Sequence, residues 1–192
     1  MVVDWLVADA SLRLVEPTVE EVETHAAVLA GFYNEPYNRA LLTNEYEFVA
    51  EDVVAQFAEM REEGGRPFLL FADDAMMGDC DLRHFEGTTA EFAILVGARA
   101  RQAKGFGTRF STMLHALAFG RLGMETVYAS VRPENTGSLR MLQKVGYLVD
   151  ASPAARRFAE AEDDVCLPVG ARAFTSAHRH AIEGMRFSKR RA

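Results

Sequence analysis

The sequence predicts a mixed α/β (α+β) fold: a central, mostly antiparallel sheet of about six to seven strands flanked by helices. Three observations predict it. Residues 67–96 hold three strand-like runs joined by two tight turns, which makes an antiparallel meander. The strand run at 89–96 is followed by a helical run after Gly105 and a further strand run at 126–131. Strand, helix, strand in that order joins parallel neighbours by a right-handed crossover. Apolar residues at helical spacing on both sides of the meander supply the covering layers.

The elements follow in order. Residues 11–15 alternate as a strand, and Thr18 with Glu21 forms a capping box that opens a helix with Val19, Val22, Ala26 and Leu29 as its buried stripe. The stretch 31–48 holds Tyr33, Asn34, Glu35, Tyr37, Asn38, Asn44, Glu45 and Tyr46, and this polar, aromatic content reads as a substrate rim. A second helix runs from about Glu51 to Glu62 with Val54, Phe57 and Met60 inward, and Gly64-Gly65 stops it. Strands follow at Pro67 to Ala72, Met76 to His84 and Thr89 to Val96, turned at Asp73-Asp74 and Glu86-Gly87. Phe106, Phe110, Met113, Leu114 and Leu117 give the next helix a core face ending near 120–123. Asn135 caps a short helix bearing Leu139, Leu142 and Val145 that stops at Gly146, and 147–151 with 164–169 reads as a closing hairpin.

At 192 residues the chain suits one domain able to bury a core without staples, read here as 1–170, followed by a basic tail at 171–192. That tail carries Arg172, Arg179, Arg186, Lys189, Arg190 and Arg191 against Glu183, with an imperfect helical stripe of Phe174, Ala177, Ala181, Ile182 and Met185. The whole chain has a formal charge of −7, so the body is acidic. Such a body argues against nucleic acid as the main partner and suits a cationic substrate. No apolar run reaches the roughly 20 residues of a membrane span, and no leader pattern opens the chain. A cytoplasmic protein without membrane association is the expectation. Cys80 and Cys166 sit in strand-like runs and read as buried free thiols. His178 and His180, two apart, share no helix face, and no metal site is expected.

Gln102-Ala103-Lys104-Gly105-Phe106-Gly107-Thr108 joins a strand to a helix. The first N–H groups of a helix lack internal partners and its dipole is positive there, so the junction suits an anion. Gly105 and Gly107 keep side chains away from the backbone, and Lys104 and Arg109 add charge. The spacing matches neither a Walker loop nor a dinucleotide-binding turn, and a strand-to-helix turn with two glycines also occurs without a ligand.

The element order, the Gln-x-x-Gly-x-Gly loop and the run Asn135-x-x-Ser138 through Lys144-x-Gly146-Tyr147 together resemble the GNAT acetyltransferase superfamily, closest in appearance to its RimJ/RimL-like branch. The resemblance covers about residues 11–169. It implies acetyl-coenzyme A as cosubstrate, held in a wedge where strands 90–97 and 126–131 splay. It also implies backbone contacts to pantetheine and thioester at Leu95, Val96 and Gly97, pyrophosphate on Gln102, Ala103, Lys104, Gly105, Phe106, Gly107 and Thr108, and coenzyme contacts from Asn135 and Ser138.

Acetyl transfer to an amine needs a neutral nitrogen, a polarised carbonyl and a departing thiolate. A lysine-like amine, with a free pKa of about 10.4, needs more help from a base than an α-amine near about 7.8. Glu91, at the start of the thioester strand, is the candidate base, with an ordinary strand-end glutamate as the alternative. By resemblance a backbone N–H near Val96 meets the oxyanion. Where many relatives carry a tyrosine that protonates the thiolate, this chain has Leu142, so that Ser138, Tyr147 or water donates the proton or the thiolate leaves unaided.

Asp79 and Asp81 share one strand face, with His84 on the other. The pair reads either as a receiver for a cationic amine or as a solvated face. Tyr33, Asn34, Tyr37 and Asp81 are the candidate substrate contacts. His115 reads as a packed or surface residue. The expected function is an N-acetyltransferase acting by direct attack in a ternary complex on a small cationic amine or, as the RimJ/RimL-like resemblance implies, a peptide N-terminus. A non-catalytic acyl-coenzyme A sensor is the alternative, a different anion-binding protein is the third option, and a homodimer is left open.

Overall fold

The computed structural model describes residues 4–42, 46–159 and 161–190. Among the described residues eight strands form one sheet: β1 (Asp4–Asp9), β2 (Leu12–Val15), β3 (Arg66–Ala72), β4 (Ala75–Glu86), β5 (Thr89–Val96), β6 (Thr126–Val131), β7 (Val165–Gly170) and β8 (Arg186–Arg190). Their spatial order is β7-β6-β5-β4-β3-β2-β1-β8. Only β5 and β6 run parallel, and α4 (Phe106–Gly120) makes their crossover.

Both faces of the sheet are covered, so its central strand reads as a continuous apolar run. In β3, Phe68 and Leu70 join the core beneath α4 and α5 (Thr136–Val145), while Leu69 and Phe71 join the core beneath α1 (Val19–Asn34) and α3 (Ala50–Glu62). Phe110, Met113, Leu114 and Leu117 of α4 are all buried, as their spacing predicts. The Thr18 capping box forms, with Thr18 Oγ1 accepting from the Glu21 amide and Glu21 accepting from the Thr18 amide. Val19 departs from the predicted stripe and is 67% exposed. Its turn is held by polar bonds rather than by the core, so the stripe starts at Val22. In α3 the inward residues are Val53 and Phe57, with Val54 and Met60 half-buried.

The Asp73-Asp74 turn has both residues left-handed, at φ 48° and 62°, the geometry whose twist matches a two-residue hairpin. The closing hairpin expected at 147–151 does not form as a strand. Leu148 and Asp150 donate to the Pro168 and Cys166 carbonyls, but Pro168 has no N–H to return, and a rung is lost. The chain turns instead into α6 (Pro153–Arg156).

Residues 171–190 make α7 (Ala171–Ala177), α8 (Arg179–Glu183) and β8, which pairs antiparallel with β1. Arg190 donates to Glu21 at 2.8 and 2.5 Å and to the Glu16 carbonyl at 2.9 Å, which ties this end of the tail to α1 of the body. With one apolar residue in five, β8 carries no alternation that a sequence reading would detect.

Candidate active site

The parallel pair is short. β5 and β6 are in register only from Thr89/Thr126 to Glu91/Tyr128, while β5 stays paired with β4 to Val96 and β6 with β7 to Val131. The sheet therefore splits beyond Glu91 into two diverging halves. A cavity of about 310 Å³ reaches both sides of the split. On one side it is lined by Tyr33, Phe48, Phe57, Asp79 and Asp81, and on the other by Ser130, Arg132, Asn135, Ser138 and Leu142.

The open edge of β5 presents backbone groups to this split. The Gly97 amide donates to the Met77 carbonyl at 2.8 Å, on the β4 side. The Val96 carbonyl faces the other way and accepts from Gln102 Nε2 at 2.8 Å. Amide and carbonyl of one strand residue point to the same edge, so the Val96 N–H looks into the split.

Asp79, in β4 opposite Leu95, is the most unusual side chain in the wall. Tyr33 donates its hydroxyl to Asp79 Oδ2 at 2.8 Å, whereas Asp79 Oδ1 is out of solvent and has no hydrogen-bond partner among the described residues. Burial pushes this carboxyl up to about 7, against the lowering effect of the Tyr33 hydrogen bond. Burial first, and then the Asp79 charge, drives the Tyr33 hydroxyl well above its ordinary range, so Tyr33 stays a donor. Asp81 is buried in the same wall, with Arg83 Nε 3.6 Å from its Oδ1.

Beyond Val96 the chain makes a 3₁₀ turn at 99–101, passes through Ala103 at φ 58° and enters α4 at Gly105, φ 84°. The N-cap of α4 is Gly105, which has no side chain with which to cap the first amides of the helix. Lys104 is exposed, Phe106, Gly107 and Thr108 are half-buried, and Arg109 pairs with Asp9 at 3.3 Å. A methyl group at Gly105 would meet nothing within 4 Å, so its glycine answers to backbone conformation. At the start of α5, Asn135 Oδ1 accepts from the Ser138 amide at 3.1 Å, and both residues line the cavity.

Several expected residues sit elsewhere. Glu91 is buried but is not part of the cavity wall, because it belongs to the last paired rung and the split opens one residue later. Its Oε2 lies 2.6 Å from His84 Nδ1 and 3.4 Å from Arg83 Nε. His84 was expected on the opposite face; a β-bulge and a left-handed φ of 49° bring it back to Glu91. Asn34 spends its amide on the Phe48 backbone, donating at 2.7 Å and accepting at 2.8 Å, and Tyr37 lies under the Arg99 guanidinium at 3.9 Å; neither lines the cavity. Asn38, read as part of a rim, is buried. Gly97 has both backbone groups bonded within the protein, and Gln102 binds Asn38 and Val96 with its Nε2, so the two brace the loop. Asn44 and Glu45 lie outside the described residues.

Comparison with known proteins settles the family. A profile of the acetyltransferase (GNAT) domain matches residues 11–148, more than two thirds of the chain. The chain belongs to the GNAT acetyltransferase family. Its activity class is therefore acyl transfer, with acetyl-coenzyme A as cosubstrate. No curated protein matches the sequence. Among solved structures, this GNAT chain is similar to Mycobacterium smegmatis RimJ in complex with CoA-disulfide, at 20% identity and TM-score 0.72, covering 95% of this chain and 94% of that one. It is similar to aminoglycoside acetyltransferase AAC(6')-Ib in complex with coenzyme A, at 16% identity and TM-score 0.72, with 88% and 99% covered. A spermidine N-acetyltransferase from Vibrio cholerae in complex with CoA and spermine gives 16% identity and TM-score 0.71, with 86% and 99% covered. Among the described residues of the GNAT chain, no group of three His, Cys, Asp or Glu side chains is placed to hold a metal, and no helix is long and apolar enough to cross a membrane.

Proposed function

We propose that the protein acetylates a small cationic primary amine by direct attack within a ternary complex, with Asp79 as the general base. The observation that carries this is the unpartnered Asp79 Oδ1, buried in a cavity that also opens onto the split strand pair. A carboxylate that titrates near 7 is matched to taking a proton from an amine at neutral pH. Asp81 and the aromatic walls Tyr33, Phe48 and Phe57 receive the body of the amine. Asp79 replaces Glu91 in this role because Glu91 is held by His84 and Arg83, away from the cavity.

On the other side of the split, the free amides of 104–108 suit a diphosphate, and the Val96 N–H meets the charge that develops on the thioester oxygen. A preorganised donor of that kind contributes about 3 kcal/mol in a dry site. Asn135 and Ser138 flank the coenzyme. Leu142 is buried and lines the cavity where many relatives place a tyrosine. The Ser138 hydroxyl or water therefore returns the proton to the thiolate, an easy task because a thiol is a moderate acid, with a free pKa of about 8.5.

Aminoglycosides and polyamines, suggested by the similar structures, head the panel of acceptors, with a peptide N-terminus as the rival class. Purified protein, acetyl-coenzyme A and the panel are assayed for released thiol and for a product heavier by one acetyl group. Turnover with cationic small amines supports the reading, turnover only with peptides transfers it to that class, and tight coenzyme A binding with no turnover on any amine overturns it.

A further inference from the structure

Asn38 belongs to neither half of the proposed chemistry, yet it touches the supports of both. It sits on α2 (Pro36–Leu42), a helix that contributes Leu41 and Leu42 to the acceptor side of the cavity. Its side chain is buried at 1% exposure and makes three hydrogen bonds. Nδ2 donates to the Phe32 carbonyl at 2.9 Å and to the Gly97 carbonyl at 3.0 Å, and Oδ1 accepts from Gln102 Nε2 at 2.8 Å.

The direction of every bond in this chain is forced. Two carbonyls face the nitrogen of Asn38 and can only accept, so its amide cannot be flipped. The remaining oxygen must then accept from Gln102, whose second Nε2 hydrogen goes to the Val96 carbonyl. Gln102 Oε1 in turn accepts from Arg99 at 2.6 Å, and Arg99 stacks on Tyr37, back on α2. The closed circuit runs from the acceptor helix to the end of the thioester strand, on to the first residue of the phosphate loop, and returns to the helix. Gly97 is pinned within it, because a methyl group there would lie 2.3 Å from Phe32.

We propose that Asn38 is a positioning residue that makes the acceptor wall depend on the coenzyme. Fixing the 103–108 loop fixes Gln102, Gln102 fixes the Asn38 carboxamide, and Asn38 holds α2 against Phe32 and Gly97. Coenzyme binding then stiffens a helix that lies on the far side of the split. The inference rests on the coenzyme reading above. Its consequence is reciprocal: coenzyme and amine each reinforce the binding of the other by the same factor.

Amide hydrogen exchange tests this without knowledge of the amine. Coenzyme A at saturation is expected to slow exchange at residues 103–108 and also, by about tenfold, at residues 37–42, a size typical of coupled sites. In Asn38→Ala the loop is still protected and the helix gains nothing. A merely structural role would speed exchange in the helix equally with and without coenzyme A, so the difference between the two states is the deciding quantity. Should Asn38→Ala fail to fold, Gln102→Ala breaks the same circuit from the half-exposed loop, and the same loss of helix response is expected. An unresponsive helix in the parent, or a full response in a folded variant, overturns the proposal. Absence of protection at 103–108 in the parent would instead overturn the coenzyme assignment.

Discussion

Replacing Asp79 by Asn is expected to move stability and activity in opposite directions. The unfolded chain releases this proton near 3.8, while the folded protein keeps it to about 7 because burial penalises the charge. Between those values only the folded state holds the proton, so stability falls as pH rises from about 4 to about 7 and the full cost stands above that. A shift of this size, at roughly 1.4 kcal/mol per unit, corresponds to about 4 kcal/mol, an upper bound once local relaxation is allowed. Asn carries no charge, and its oxygen can still accept from Tyr33. Asp79→Asn should therefore unfold at higher denaturant than the parent at pH 8 and lose the downward slope below pH 7. Its kcat/KM should drop by about 10²–10⁴, the usual worth of a positioned base, and the rise of rate through pH 7 should vanish. Urea unfolding at pH 4.5 and 8, with thiol release from pH 5.5 to 9, reads both. A variant with parental kcat/KM and an unchanged pH profile would refute the assignment, and so would one destabilised at pH 8.

Further outcomes follow from other positions. Glu91→Gln should keep the pH profile while lowering the melting temperature, because His84 and Arg83 lose their carboxylate; a loss of activity as large as that of Asp79→Asn would return the base to Glu91. Gly97→Ala pushes a methyl group into Phe32 and should cost about 1–3 kcal/mol in thermal unfolding, whereas Gly105→Ala meets open space and should cost about 1 kcal/mol of backbone strain together with weaker coenzyme A binding by calorimetry. His115 is buried; it pairs Nδ1 with the Ser111 carbonyl and Nε2 with the Tyr147 hydroxyl, and burial lowers its pKa to about 4. The unfolded state takes up that proton from about 6.5 downward and the folded state only near 4, so about 3 kcal/mol of stability present above pH 6.5 is lost on acidification to pH 4. His115→Gln, which still offers an oxygen to Tyr147, should flatten that loss in urea titrations at pH 7 and 4.5.

Local rules reached far into this molecule. Thr18 and Glu21 cap their helix because three-residue spacing suffices for a capping box, and Asp73-Asp74 turns the meander because two short polar residues tolerate left-handed backbone. The Gly105 loop and the Asn135 cap were legible for the same reason, as each is set within a few residues. Charged β8 was not legible, since what makes it a strand is the edge of β1, some 180 positions away in the chain.

The site divides along the same line. Sequence by itself determined the meander, the crossover, the glycine loop that opens α4 and the presence of two carboxylates, Asp79 and Asp81, on one strand face. Only the tertiary structure decided which of the candidate acids line the cavity and which is tied up outside it. The split opens just past Glu91, a bulge returns His84 to occupy that residue, and the packing of α1 brings Tyr33 over Asp79 while leaving one oxygen bare. Spacing along a chain fixes which way a side chain points, but its protonation and availability depend on what other segments place around it.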